Sequence, residues 1–209
     1  MANASAVLRL VIGENSTQKV RLDHYARDLA LGLDGRRLLA ATSRGWIHAV
    51  EASEKGLELV SKQQVSQAAL TCLVLAPCPD GMPPCAVVNA MDSTVIVLQG
   101  NAALTNFTVL VRVPNPHKLL PLRCCHVPGA IDSAAEALTK GAGFVASGSE
   151  DASIHIVDLD GLKEQRLTGH NVPVVDVAVA DGAGLLASGD VHGRILLWRR
   201  GGNHIGASS

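Results

Sequence analysis

The sequence predicts an all-β fold built from about four repeated units, each a small sheet of antiparallel strands. Two segments near the C-terminus, residues 146–158 and 187–199, align without a gap. Each begins with Ala-Ser-Gly, continues through a polar turn and ends in a largely apolar run. The dipeptide Gly169-His170 stands between them, upstream of Trp198. A strand–turn–strand unit repeated in this way predicts an architecture whose units cover one another's apolar faces.

Four copies of the unit can be followed along the chain, and their period predicts a β-propeller in which each copy is one blade. The predicted blades are residues 19–60, 66–112, 117–159 and 164–200, with polar turns at Arg44, Asp92, Asp151 and His192. Residues 1–18 are predicted to be an N-terminal extension or an orphan strand, and residues 201–209 a disordered tail.

Alternating apolar residues and turn signals define the strands in order. In the first blade Leu29, Leu31 and Leu33 alternate with small residues before a turn. In the second blade the prolines of residues 77–84 mark a loop between two strands, because proline cannot sit in a central strand. Residues 128–143 supply an insertion of helix-forming composition before the third turn.

Composition limits the classes of partner. Hydrophobic residues make up 47% of the chain, charged residues 18% and aromatic residues 2%, so that Val, Leu, Ile and Ala must build the core. The net charge of −1 provides no electrostatic surface for nucleic acid or an acidic membrane. We therefore expect protein partners, with no nucleic acid and no membrane.

Cysteine usage indicates a reducing compartment. The chain has five cysteines at irregular spacing, which does not suit a secreted disulfide framework. The triplet Cys124-Cys125-His126 is interpreted as strand residues rather than metal ligands, because adjacent strand residues point to opposite faces and no second ligand pair completes a tetrahedron. We expect a nuclear or cytoplasmic protein with no metal and no cofactor.

Several segments resemble the WD-repeat family. They are Leu70-Thr-Cys-Leu73, Ser147-Gly-Ser-Glu-Asp151, Leu167–Val177 and Leu197–Arg200, and in succession they resemble the C-terminal part of a longer member. The resemblance implies a WD40-type β-propeller that acts as a non-enzymatic scaffold, with the nucleus favoured. Seven blades need on the order of 300 residues. Four blades form either a complete small ring or part of a larger one, and we expect part of a seven-bladed ring.

The resemblance also implies a structural hydrogen-bond network in each blade. In such blades a loop histidine, a serine, a turn aspartate and a tryptophan satisfy one another where loop and strands meet. The residues assigned to this network are His24, Asp92, Ser147, Asp151, His170, Ser188 and Trp198. In the last blade His192 stands where the aspartate is expected. Candidate partner contacts in the loops are Arg44, His192 and Arg194.

Two functional classes remain open. A catalytic triad could be drawn from Ser188, His170 and Asp190, or from Ser147, His155 and Asp151, but the chain has no Gly-x-Ser-x-Gly turn. Ser147 and Ser188 recur at equivalent blade positions, which a structural role explains. The expected function is a non-catalytic scaffold for proteins or peptides. The alternative is an enzyme or small-ligand propeller with a central-channel site, which the apolar inner strands disfavour. We expect the isolated chain to self-associate through uncovered blade faces.

Overall fold

The computed structural model describes residues 6–12, 16–32, 35–76, 84–127, 143–158, 164–180, 184–199 and 207–208. Every regular element within these ranges is a β-strand, and the strands form one two-stranded and four four-stranded sheets. The prediction of an all-β fold with about four blades of antiparallel strands is confirmed.

The strands follow one another as a hairpin and four blades. β1 (Ala6–Ile12) and β2 (Ser16–Leu22) form the hairpin. The first blade contains β3 (Ala26–Leu31), β4 (Arg37–Thr42), β5 (Trp46–Ser53) and β6 (Gly56–Gln64). The second contains β7 (Leu70–Ala76), β8 (Cys85–Ala90), β9 (Thr94–Gly100) and β10 (Phe107–Pro114). The third contains β11 (Cys124–Val127), β12 (Phe144–Gly148), β13 (Ser153–Asp158) and β14 (Glu164–Thr168). The fourth contains β15 (Val174–Ala180), β16 (Leu185–Asp190), β17 (Ile195–Arg199) and β18 (Ala207–Ser208).

Neighbouring blades pack through their first strands. β7 packs against β3 and β4, β11 packs against β7, and β15 packs against β11 and β12. The first strand of each blade is therefore its inner strand, nearest the axis around which the blades are arranged. Among the described residues, β3 and β15, the inner strands of the first and last blades, do not pack against each other in this way. The four blades accordingly form an arc rather than a closed ring.

A β-bulge at the start of the inner strand recurs in the first, second and fourth blades. The register shift comes immediately before Asp28, Cys72 and Asp176. In the third blade the N–H of Gly148 donates to the carbonyl of Arg123, which places Arg123 at the same register. A bulge re-aims the side chains beside it. These four inner-strand residues therefore stand at equivalent positions near the axis.

Apolar clusters between successive blades form the core. Val88 of β8 packs toward the first blade and Val87 toward the third, because successive side chains of a strand point to opposite faces. Central strands therefore need apolar residues at consecutive positions, as in the fully buried β8. Aliphatic side chains fill these clusters, as the low aromatic content predicts.

The two ends of the arc are covered differently. The β1–β2 hairpin lies beside β6, and its buried Leu22 packs with Ala40 and Val50 on the outer face of the first blade. The N-terminal segment is thus a paired hairpin, not an orphan strand. On the last blade the side chains of Ile195 and Leu197 are about half exposed.

The blade boundaries lie later in the chain than the sequence-based ranges. Strand β14, which those ranges placed in the fourth blade, pairs with β13 of the third. Each blade therefore ends with the strand that precedes the loop into the next inner strand. In the tail predicted to be disordered, β18 pairs with β17. Residues 201–206, and residues 128–142 of the insertion predicted at 128–143, lie outside the described part of the chain.

Candidate functional site

Loops and turns at one end of every blade are hydrogen-bonded to one another. In each blade the turn between the second and third strands donates a backbone N–H to a carbonyl in the loop that leads into the inner strand. The pairs are Ser43 to Tyr25, Met91 to Ala69, Glu150 to Pro116 and Val191 to Pro173. We call this surface the loop face; it comprises residues 23–25, 65–69, 115–123 and 169–173 with the turns 43–45, 91–93, 149–152 and 191–194.

A four-residue network ties the loop face of the last blade to its strands. Trp198 Nε1 donates to Ser188 Oγ at 2.8 Å, and the same Oγ lies 2.8 Å from His170 Nε2. His170 Nδ1 lies 2.7 Å from Asp190 Oδ2, and both of these side chains are buried. The structure thus brings together the three residues that the sequence assigned to this blade, with Asp190 as the fourth.

Asp190 takes the position for which the sequence interpretation proposed His192. Asp190 Oδ1 accepts the backbone N–H groups of His192 and Arg194, each at 3.0 Å, while the His192 side chain is exposed. Burial acts to raise the pKa of Asp190, but the hydrogen bonds from His170 and the two amides hold it below its usual value. The signal in the sequence was its place at the end of β16, where the turn amides fold over its carboxylate.

In the third blade Ser147 and Asp151 belong to separate sets of contacts. Ser147 Oγ accepts from Asn89 Nδ2 at 2.9 Å and from Asn115 Nδ2 at 3.0 Å. Asp151 Oδ2 lies instead 2.8 Å from His155 Nε2. Two asparagines therefore bind the serine that a histidine binds in the last blade. Sequence reasoning missed them because it searched for histidine.

The first two blades use other combinations. In the second, Asp92 Oδ2 accepts from Ser66 Oγ at 2.8 Å, and Ser66 precedes its inner strand as the loop histidine of the last blade does. In the first, His24 stacks on Trp46 with ring centroids 5.9 Å apart and lies 5.8 Å from His48. Burial lowers the pKa of His48. His24 therefore contacts the third strand of its blade.

The network of the last blade has the residue types of a Ser-His-Asp triad but not its accessibility. Ser188 is 2% exposed, and its Oγ already accepts a hydrogen bond from Trp198. A catalytic nucleophile needs an open approach to the substrate and donors for the oxyanion. The buried hydroxyl is better suited to joining loop and strands.

The loop into the third inner strand holds an apolar side chain in solvent. Glu150 Oε1 accepts the backbone N–H groups of Lys118, Leu119 and Leu120 at 2.8, 2.6 and 2.9 Å. Burial acts to raise the pKa of Glu150, but these amides hold it below its usual value. Leu119 is 82% exposed. Three amide hydrogen bonds to one carboxylate thus fix the backbone beneath an exposed leucine.

The predicted partner contacts all lie on the loop face but differ in exposure. Arg44 and His192 are exposed. Arg194 is half-buried, and its guanidinium donates to the carbonyl of Gly169 at 3.1 Å. Arg194 therefore braces the loop that carries the network histidine, while the other two side chains point to solvent.

Charged side chains meet beside the axis. Arg123 Nη2 lies 3.4 Å from Asp28 Oδ1, and Arg123 Nε lies 3.9 Å from Asp176 Oδ1. Asp28 Oδ2 also accepts the N–H of Leu73 at 2.8 Å. The inner strands are thus not purely apolar, which differs from the sequence-based expectation, because the bulges bring these positions together. One guanidinium from the third blade thus lies between carboxylates of the first and fourth blades.

One cleft lies at the loop face between the first and second blades, with a volume of about 530 Å³. It is lined by Gln64, Val65, Ser66, Gln67, Asp92, Thr94 and Arg112. Within the described ranges, no group of three or more His, Cys, Asp or Glu side chains is placed to hold a metal ion. No helix in that part of the chain is long and apolar enough to cross a membrane.

Comparison with known proteins identifies the fold. No protein-family model matches the chain. Among solved structures, a chain of the crystal structure of a mitotic checkpoint complex is similar, with a TM-score of 0.69 at 15% sequence identity. The similarity covers 92% of this chain and 54% of the other, so this chain spans about half the length of its structural neighbour. With its four antiparallel sheets in an open arc, the chain has the fold of a partial WD40-type β-propeller.

Proposed function

We propose that this chain is a non-catalytic scaffold that binds other proteins or peptides through its loop face. The observation that carries the proposal is Leu119, which is 82% exposed on a backbone that Glu150 holds in place. A preorganised loop loses little conformational freedom on binding, so that more of its contact energy appears as affinity.

Other exposed residues of the loop face fit this role. Tyr25 and Val191 are also large, apolar and exposed, and both lie on the loop face. Arg44 and His192 add polar groups on the same surface. A face that combines apolar anchors with polar groups has the composition of protein interfaces. The buried, hydrogen-bonded Ser188 supports the non-catalytic part of the proposal.

The proposed cellular setting is based on sequence resemblance. The segments quoted above resemble the C-terminal part of WD repeat-containing protein 13, and on that basis we place the chain in a nuclear or cytoplasmic assembly, with the nucleus favoured. The net charge of −1 supports protein partners over nucleic acid. The similar solved chain is part of a mitotic checkpoint complex. A multiprotein complex is the setting in which a protein-binding scaffold acts, which supports the proposal.

A matched pair of substitutions tests the proposal. Tagged wild type, Leu119→Asp and Leu110→Asp would be compared by affinity capture, and one captured protein would then be purified for a binding titration. Leu110 is 49% exposed on β10, away from the loop face. We expect Leu119→Asp to weaken binding at least about tenfold, equivalent to about 1.4 kcal/mol, with Leu110→Asp unchanged. Equal binding by all three proteins would contradict the proposed surface.

We also propose that the isolated chain self-associates through the last blade. Ile195 and Leu197 are exposed on β17, and uncovered repeat faces favour association. Sedimentation velocity over a concentration series should show association that Leu197→Lys weakens. A monomer at every concentration would contradict it.

A further inference from the structure

Two cysteines from neighbouring blades are in direct contact near the axis. The Sγ atoms of Cys72 on β7 and Cys124 on β11 lie 3.6 Å apart. The backbone N–H of Cys124 donates to Cys72 Sγ at 3.3 Å, so that one inner strand fixes the sulfur of the other. A disulfide bond has a sulfur–sulfur distance of about 2.05 Å. The two sulfur atoms would therefore have to move closer by only about 1.5 Å to form one.

The two thiols are chemically different. Hydrogen bonds from the Cys124 thiol and amide lower the pKa of Cys72, against burial and the nearby Asp28 carboxylate, which act to raise it. The same thiol contact and burial raise the pKa of Cys124. Because the thiolate is the reactive form of cysteine and the backbone N–H of Cys124 donates to Cys72 Sγ, the contacts favour Cys72 as the attacking sulfur.

The other described cysteines have no such arrangement with Cys72. Cys125 follows Cys124 on β11 and therefore points to the opposite face of the strand; burial raises its pKa to about 12. Cys85 pairs with Ala76, at the opposite end of β7 from Cys72. The geometry thus selects one pair. Both side chains are buried, so that a molecule as small as peroxide reaches them through local opening between the two blades.

We propose that Cys72 and Cys124 are a peroxide-sensitive thiol pair that oxidises to a disulfide joining the inner strands of the second and third blades. The Cys72 thiolate attacks one oxygen of hydrogen peroxide, the O–O bond breaks, and the products are a Cys72 sulfenic acid and hydroxide. Cys124 sulfur then attacks the sulfenic sulfur; the S–S bond forms and the S–O bond breaks. The departing oxygen leaves as water with the Cys124 proton. Overall, two thiols and one peroxide give one disulfide and two waters.

The test uses the 209-residue chain. Reduced protein would be treated with hydrogen peroxide while folded, alkylated, digested without reductant and analysed by mass spectrometry. We expect a cross-linked peptide that contains Cys72 and Cys124 and disappears when thiol reductant is added before alkylation. A folded chain that forms no such peptide, or that joins Cys72 to another cysteine, would overturn the proposal.

Two variants separate the steps. Cys124→Ser should stop at the sulfenic acid, which a dimedone-type probe traps on Cys72. Cys125→Ser should give the same cross-link as the wild type. Absence of the Cys72 adduct in the first variant, or loss of the cross-link in the second, would contradict the assigned roles. None of these readouts involves a binding partner, so the result is independent of the proposed scaffold function.

Discussion

Gly148 and Gly189 occupy the same register position in the second strands of the third and fourth blades, but only Gly148 has another blade against it. A Cβ atom at Gly148 would lie 2.3 Å from the carbonyl oxygen of Val174 on the next inner strand. At Gly189 a Cβ atom would meet nothing within 4 Å. Gly148 leaves room for the backbone of the next blade, and that room is filled. Gly189 leaves the same room on the last blade, and there it is empty.

A second pair of glycines repeats this relationship. Gly45 and Gly193 close equivalent turns with φ values of +78° and +82°. A Cβ atom at Gly45 would lie 1.9 Å from the carbonyl oxygen of Ser66, whereas at Gly193 nothing lies within 4 Å. In both pairs the uncovered face of the last blade carries a glycine at the position where, in an earlier blade, a glycine allows the next blade to pack closely.

The assignment of Asp190 to the network can be tested against His192. Asp190→Asn removes the charge that accepts from His170, and we expect it to lower the free energy of unfolding by about 1–3 kcal/mol. The exposed His192→Asn should change it by no more than about 0.5 kcal/mol. Denaturant unfolding of the two variants provides the comparison. A larger cost at His192 would restore the sequence-based assignment.

The buried imidazole of His48 makes stability depend on pH. Burial lowers its pKa from 6.5, and the same cause lowers the pKa of His117. Below about pH 6.5 the unfolded chain binds protons that the folded chain does not, so acid favours unfolding. We expect the free energy of unfolding to decrease as the pH falls from about 6.5 toward the lowered pKa values of the folded histidines. Above about pH 6.5 these two histidines should not make stability depend on pH.

Urea unfolding across this range would measure the effect in wild type, His48→Gln and the exposed control His192→Gln. The first substitution should reduce the dependence on pH and the second should leave it unchanged. A wild-type stability that rises as the pH falls through this range would contradict the account.

The loop beneath Leu119 should lose its order without Glu150. Glu150→Ala removes the acceptor of three amides, and we expect faster hydrogen exchange at Lys118, Leu119 and Leu120 with the blade strands unchanged. Glu54→Ala, in the exposed turn between β5 and β6, is the matched control. Exchange in this loop that is equally slow in both variants would show that other contacts fix it.

Local sequence patterns were sufficient to predict the repeated blades, but not to predict every side-chain contact between loops, strands and blades. Alternation and polar turns lie within a few residues of one another, so the blades could be read directly. The sequence interpretation considered Asp190 only for a catalytic triad and gave its network position to His192, because a strand end, rather than the turn apex, decides which side chain points to His170. The contact between Asp28 and Arg123 joins residues 95 positions apart and depends on bulges and blade packing that the sequence does not display. Asn89 was missed because the sequence search was for histidine within each blade, whereas Asn89 reaches into the next blade.

The central claim is that four blades form an arc whose last face is uncovered, and two alanine substitutions test it directly. The equilibrium free energy of unfolding of Gly148→Ala and Gly189→Ala would be measured in dilute solution, where self-association is weakest. We expect Gly148→Ala to cost about 1–3 kcal/mol, because its methyl group meets the backbone of the next blade. Gly189→Ala should cost less than about 0.5 kcal/mol, as at an open surface. Equal losses at both positions would contradict the claim, because the last blade would then have a neighbour as close as that of the third.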